Sequence, residues 1–338
     1  MKKKDFLKYP IKHIDVKSFD ATAIIESMAE MSFTSRETAN AARIFNRMIM
    51  DKTCTNILTL SGSTSAGGCM QIYMVECNMV GVIVATGASV VDMDFFEALG
   101  FNHYRGSSYA KDKELRYHYI DRIYDTFIDE DDLQVCDSTI KEIANTIKPG
   151  VYSSREFIME MGKYLVDHSI KKDSLVQVAF EKNVPVFCPA FSDSCAGFGL
   201  VMHQWKRPDN HVSIDSVKDF RELTQIKMAS DNSGLFMIGG GVPKNFAQDI
   251  VVCAEMLGEY IPMHKYAIQI TVADVRDGGC SGSTLKEASS WGKVDTAYEQ
   301  MVFAEATSVL PLIISYVYHK RDWEKRIEMK WNTYFNTN

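Results

Sequence analysis

Six short apolar runs, each closed by glycine or other small residues, limit what this chain can fold into more than any other feature of it. They fall at 56–61, 80–86, 184–188, 234–239, 266–271 and 301–305. Strands this continuously apolar must be covered on both faces, so the runs predict a mostly parallel sheet between layers of helices. Helical patterns fill the gaps. Ile24, Ile25, Met28 and Met31 recur at helical spacing over 20–31, and Thr34 with Glu37 has the form of a capping box opening a helix to about Met50. Further helices are predicted over 70–79, near 94–99, over 153–168 from a Ser153 and Glu156 capping box, over 213–228 and over 306–318. The alternation reads as α/β: a Rossmann-like open, mostly parallel sheet with helices on both faces, in a single large domain. Its strand-end loops share one edge, which is where such sheets bind ligands. Residues 1–35 read as an N-terminal arm and helix, 36–320 as the α/β domain, and 321–338 as a polar C-terminal tail.

A chain of 338 residues that is 46% hydrophobic has enough apolar surface for one sizeable core. Its longest apolar stretch, 80–91, is interrupted by Thr86 and Gly87 and falls short of the roughly 20 residues that span a bilayer. The start, Met1-Lys2-Lys3-Lys4-Asp5, has no apolar stretch behind it, so neither a membrane association nor a secretory leader is expected. Eight cysteines at irregular spacing, without a Cys-x-x-Cys pair, read as buried thiols of a cytoplasmic protein and not as a disulfide frame or metal site. A formal charge of −7 argues against nucleic acid as a partner and is compatible with a cationic ligand. The acidic run Asp129-Glu130-Asp131-Asp132 reads as a solvated loop.

Two stretches carry chemistry. After the run at 56–61, the small residues Gly62-Ser63-Thr64-Ser65-Ala66-Gly67-Gly68 lead into a helix, an arrangement that lets backbone N–H groups and a helix start approach a phosphate. The second is Asp277-Gly-Gly-Cys-Ser-Gly-Ser-Thr-Leu-Lys-Glu-Ala-Ser-Ser-Trp-Gly-Lys293. An amine is a nucleophile at neutral pH only where an apolar or cationic setting disfavours its charge, and Trp291 offers an apolar wall to Lys293. Lys293 is therefore a candidate for Schiff-base chemistry, set against a surface lysine that follows a packing Trp. Plain alternatives stand beside the neighbours too. Glu287 completes a Thr284 capping box, Asp193 caps a helix starting near Ser194, the 239–241 triplet is a tight turn, and Cys280 is a small loop residue.

At Gly239-Gly-Gly-Val-Pro-Lys244 together with Glu287-Ala-Ser-Ser-Trp-Gly-Lys293, the chain resembles deoxyhypusine synthase. The resemblance runs from near Ala39 to about Leu312 and takes in the Thr86-Gly87-Ala88 loop, Pro189-Ala-Phe-Ser-Asp193, Asp277-Gly-Gly-Cys-Ser281-Gly and Glu305-Ala306. It implies an NAD-binding α/β domain in a homotetramer with its sites at subunit interfaces. It implies NAD contacts from Ser61, Ser63, Ser65, Thr86, Gly87, Asp193, Gly240, Gly241, Asp277, Glu305 and Ala306. It also implies a covalent imine on Lys293, with Trp291 and Glu287 beside the amine chain. The departures fall on the substrate side. Phe198 and Cys280 stand where the family has carboxylates, Asn245 stands where it has a histidine, and the acidic pair after the Thr86 loop shrinks to Asp92 with Asp94 nearby. The expected activity is NAD-dependent transfer of a butylamine unit from spermidine, through a lysine imine, to a free polyamine such as putrescine, which would form homospermidine. Deoxyhypusine formation on a protein lysine, a catalytically silent NAD-binding subunit and a simple oxidoreductase are the alternatives.

Overall fold

The computed structural model describes residues 2–69 and 72–335. Its centre is a six-stranded sheet made of β1 (Cys54–Leu60), β2 (Val82–Ala85), β3 (Val186–Phe187), β4 (Asn232–Ile238), β5 (Tyr266–Thr271) and β6 (Glu299–Phe303). The spatial order is β3-β2-β1-β4-β5-β6, and every neighbouring pair is parallel. From β1, strands β2 and β3 step to one side, and β4, β5 and β6 to the other. The strand order therefore reverses between β1 and β4, and that point is where a crevice opens at the carboxyl edge.

Two apolar bodies sandwich the sheet, and the strand period of two decides which side chain enters which. Leu58, Ile83, Phe236 and Ile268 face a body completed by the helices Phe33–Met50 and Ala306–Lys320. Ile57, Val84, Leu235 and Met237 face the other, built from Ser216–Met228 and Gly241–Met256. All seven residues of β1 are buried, which is why its sequence shows no polar alternation.

Several helix boundaries differ from expectation. The helix expected from Thr34 starts at Phe33 behind Ser32, so Thr34 and Glu37 already lie inside it and form no capping box. The segment expected at 20–31 is helical over Thr22–Met28. Of the 70–79 helix, Ile72–Glu76 is helical, while its expected start at Met70 lies outside the described residues. The chain after β2 winds as a π-helix over Ala88–Phe95, directly behind Gly87, before a short turn at Phe96–Ala98. The acidic run is not a loop. Asp129 caps the helix Glu130–Thr146 by accepting from the Asp131 N–H at 2.9 Å, and the acids of the first turn sit at the positive end of the helix dipole. Ser213 and Ile214, expected to begin a helix, lie in the strand Val212–Ile214, which pairs with Gly150–Tyr152 as a small parallel sheet, and the helix begins at Ser216 under an Asp215 cap. The capping box on Ser153 and Glu156 forms with both of its bonds.

Both ends of the chain are tied to this core. Residues 9–14 run beside Tyr104–Arg105, with Ile11 N–H donating to His103 O at 2.8 Å and Ile14 N–H donating to Gly68 O at 2.9 Å. At the other end, the Arg326 guanidinium donates to the carbonyls of Ile49 at 2.9 Å, Cys54 at 3.0 Å and Asn78 at 3.1 Å, among others. It thereby satisfies carbonyls left over where the Phe33–Met50 helix ends. No helix among the described residues is long and apolar enough to cross a membrane.

Candidate active site

The reversal between β1 and β4 opens a cleft of about 1390 Å³ along the carboxyl edge of the sheet. The ends of β1, β4, β5 and β6 supply most of its wall, including Ser61, Gly62, Ser63, Gly240, Glu305 and Ala306. Gly62 adopts a φ of 78°, and a side chain placed there would point into open space. Gly240 has no such room, because a Cβ would overlap Ser281 Cα, so the β4 loop and the 278–283 loop meet only through glycine. The Ser61 hydroxyl donates to Gly240 O and ties the β1 loop to the β4 loop across the reversal point. Glu305 caps the helix Ala306–Lys320, accepting from the Thr307 N–H at 3.0 Å. The starts of that helix and of Gly241–Met256 both reach this edge. An open glycine, clustered hydroxyls and two helix starts at the strand-order reversal fit a dinucleotide with its pyrophosphate. Lys12 and Arg105 add two cations to the wall. Sequence reasoning missed both, because Lys12 comes from the arm and Arg105 from a two-residue strand with no apolar signature.

A second cavity, of about 730 Å³, lies behind the 278–283 loop. Ser281 of that loop faces the cleft, whereas Gly278, Gly279, Cys280 and Ser283 face the cavity. The loop is thus the shared partition. Gln269 Nε2 holds it by donating to Ser281 O and to Gly239 O, each at 3.0 Å. The Lys244 ammonium holds it by donating to Ser283 O at 2.5 Å. Burial pushes the Lys244 amine down to about 8.

Lys293 is in this cavity with Asn245, Glu287, Trp291 and Cys280. The plain alternative of a surface lysine behind a packing Trp does not form, since the Trp291 residue is 67% exposed and the Lys293 side chain only 12% exposed. The amine nevertheless meets a carboxylate beside the indole and not the purely apolar or cationic setting expected. Lys293 Nζ lies 5.3 Å from the indole centroid, 2.6 Å from Asp249 Oδ1 and 3.1 Å from Asn245 Oδ1, to which it donates. Asp249 was not picked out from the sequence, since it lies inside the helix Gly241–Met256 and belongs to no motif. Glu287 forms the capping box with Thr284 and is also a residue of the cavity wall. Phe220, Val252 and Met256 supply apolar wall.

The remaining expected residues lie elsewhere within the chain. Thr86, Gly87, Asp92, Asp193 and Phe198 gather on the β2 and β3 side and line neither space. They adjoin the cleft through Ser89, whose hydroxyl bonds Thr86 Oγ1 at 3.0 Å and donates to Gly62 O at 2.9 Å. A Cβ on Gly87 would overlap the Ser194 side chain, so glycine lets the β2 and β3 loops touch. Asp92 accepts from Cys195 N–H at 2.7 Å, at the start of the helix Cys195–Lys206, and burial pushes its carboxyl up to about 6. Ser194, and not Asp193, caps that helix. Asp94 is a structural anchor, accepting from Ser174 Oγ and Leu175 N–H at 2.7 Å and from Val176 N–H at 2.9 Å. Phe198 is 66% exposed. Ser65 is buried, and Gly241 and Asp277 flank the glycine contacts without lining either space.

Comparison with known proteins follows the same outline. The family model described as deoxyhypusine synthase matches residues 23–317. A deoxyhypusine synthase-like protein of Coxiella burnetii is 63% identical over 338 residues, covering 99% of this chain and 96% of that protein. A probable deoxyhypusine synthase 2 of Methanosarcina mazei is 39% identical over 324 residues, covering 95% of this chain and 93% of that protein. A crystal structure from Entamoeba histolytica, provisionally named a deoxyhypusine synthase, superposes with a TM-score of 0.61 at 19% identity, covering 95% of this chain and 100% of that one. It bears on the fold alone.

Proposed function

The chain belongs to the deoxyhypusine synthase family, and from that premise we propose that it is an NAD-dependent aminobutyl transferase acting between free polyamines. The donor is spermidine or a relative, and the acceptor is an amine such as putrescine, so that homospermidine is the product. Gly62, Ser63, Gly240, Glu305 and Ala306 would hold the dinucleotide in the cleft. Bound there, it supplies removal and later return of a hydride at the carbon beside the donor's secondary amine.

The protein's own groups do the rest. Lys293 adds to the oxidised carbon, 1,3-diaminopropane leaves, and the acceptor amine then displaces the lysine. Glu287 brings negative charge to an ammonium end of the polyamine, while Trp291, Phe220 and Met256 line the path of its methylenes. The low exposure of the Lys293 side chain keeps water from the imine. A homotetramer would bring the Thr86 and Asp193 loops of a second subunit within reach of these groups.

The observation that carries this reading is the position of Lys293, sheltered and one loop away from the strand-end cleft. Incubation with NAD, spermidine and putrescine followed by borohydride should leave an aminobutyl group on Lys293, found by peptide mass spectrometry, with homospermidine among the products. A second reading, a silent NAD-binding subunit, is favoured by Phe198 and Cys280, which replace family carboxylates. NAD binding without any adduct across a panel of amines would decide for it. Modification of a protein lysine instead of a free amine would indicate deoxyhypusine synthesis, and accumulation of free NADH a simple dehydrogenase.

A further inference from the structure

Asn245, Asp249 and Lys293 close a ring of three hydrogen bonds. Lys293 Nζ pairs with Asp249 Oδ1 at 2.6 Å and donates to Asn245 Oδ1 at 3.1 Å, and Asn245 Nδ2 donates to Asp249 Oδ2 at 2.7 Å. Asn245 precedes Asp249 by one helical turn, so the amide fixes one carboxylate oxygen and turns the other towards Nζ. The ring gives the amide a consistent orientation and the lysine a single position.

We propose that Asp249 is the counter-ion of the Lys293 nitrogen throughout the reaction, and that it keeps the lysine imine protonated and so open to attack by the acceptor amine. This rests on the transfer reading above. The charge count supports it. The protonated Lys293 amine and a neutral donor imine R–CH=N–R′ give a protonated imine between Nζ and the R–CH carbon, together with a neutral primary amine on R′. The C=N bond to the leaving nitrogen breaks and one to Nζ forms. Two protons pass from Nζ to the leaving nitrogen, the first before the attack so that Nζ has a lone pair with which to add, and no electrons change hands. Nζ carries one positive charge at the start and at the end, so one immobile carboxylate serves both states. A neutral partner would let the imine lose its proton, and with it most of its reactivity towards an amine.

The other groups around Nζ do not fill this role. Glu287 has one carboxylate oxygen 3.4 Å from its own cap N–H, Lys244 is bound to Ser283, and Cys280 and Cys253 are thiols of the cavity wall. Asp249 also restores an anionic group to a cavity from which Cys280 and Asn245 have removed the family's carboxylate and histidine.

The test uses butanal without NAD, so that the imine forms directly on the intact protein. Cyanoborohydride reduces only the protonated imine, while borohydride reduces both forms and measures total imine in parallel. Labelling of Lys293 is read by peptide mass spectrometry across a pH series for the wild type, Asp249→Asn and Asp249→Glu, with melting curves to identify folded variants. In the wild type, cyanoborohydride reduction should persist into alkaline solution. In Asp249→Asn its midpoint should fall by about one to two pH units, which is roughly ten-fold or more slower reduction on the alkaline limb. Asp249→Glu should stay close to the wild type, and Asp249→Ser stands in should the asparagine variant not fold. Superimposable profiles in every folded variant would overturn the counter-ion assignment. Spermidine labelling that fails in the wild type while the butanal profiles shift as expected would instead remove the transfer reading and leave the Asp249 assignment standing.

Discussion

Trp291 and Lys293, two positions apart, trade the exposures that their chemistry suggests: the indole faces solvent, and the amine turns in towards Asp249 and Asn245. Because the 278–283 loop separates this amine from the strand-end cleft, the two sites should respond to substitution separately. Lys293→Ala is expected to lower polyamine transfer by more than about a hundredfold while NAD affinity stays within roughly threefold, measured by turnover and by calorimetry. Lys293 was legible because the Gly/Ser loop and the Trp-Gly pair around it make a pattern. Asp249 was not, because a carboxylate on an amphipathic helix looks like any solvated position until the fold brings Nζ to it. Asp94 misleads in the opposite direction. It follows a suggestive glycine loop, yet its oxygens are taken by Ser174, Leu175 and Val176.

Among the elements, the strands were the most readable part of the chain, and β5 has the expected bounds because both of its faces are buried between turn residues. Helix starts were read correctly where a side-chain cap closes on its partner, as at Ser153 and Thr284. They were misread where a matching pair lies inside the helix, as at Thr34. The short strands Tyr104–Arg105, Ile120–Ile123 and Thr126–Asp129 left no signal, since they form a small antiparallel sheet apart from the six-stranded one. At this scale the partition loop is the sensitive part. Gly240→Ala would push a Cβ into the Ser281 backbone, so the loop must shift. We expect a cost on the order of 2–4 kcal/mol in denaturant unfolding. NAD affinity in titration calorimetry should fall about ten-fold or more, because the same loop walls the cleft.

In the whole molecule, the arm, the sheet and the small antiparallel layer are joined at Glu97. Its two oxygens each lie 2.7 Å from a histidine nitrogen, His13 of the arm and His103 before the small sheet. Burial alone would raise the Glu97 carboxyl, but the hydrogen bonds from His103 and His13 outweigh it and hold the group down at about 2, against an ordinary 4.5. A folded-state value below the unfolded one stabilises the protein above the unfolded value, and that contribution disappears as pH falls from about 4.5 towards 2. Glu97→Gln should therefore lose on the order of 3 kcal/mol at neutral pH, and its melting temperature should converge on the wild type's in acid. Equal differences at all pH values would contradict the clamp. The arm fastened in this way also forms a side of the strand-end cleft through Pro10, Ile11 and Lys12. Arg105 N–H donates to Tyr9 O at 2.8 Å and holds that side in place. In the transfer proposed above, the hydride carrier would be restored within each turnover and never need replacing, so a cleft walled on one side by a fastened arm could keep its passenger across successive cycles at no cost in speed.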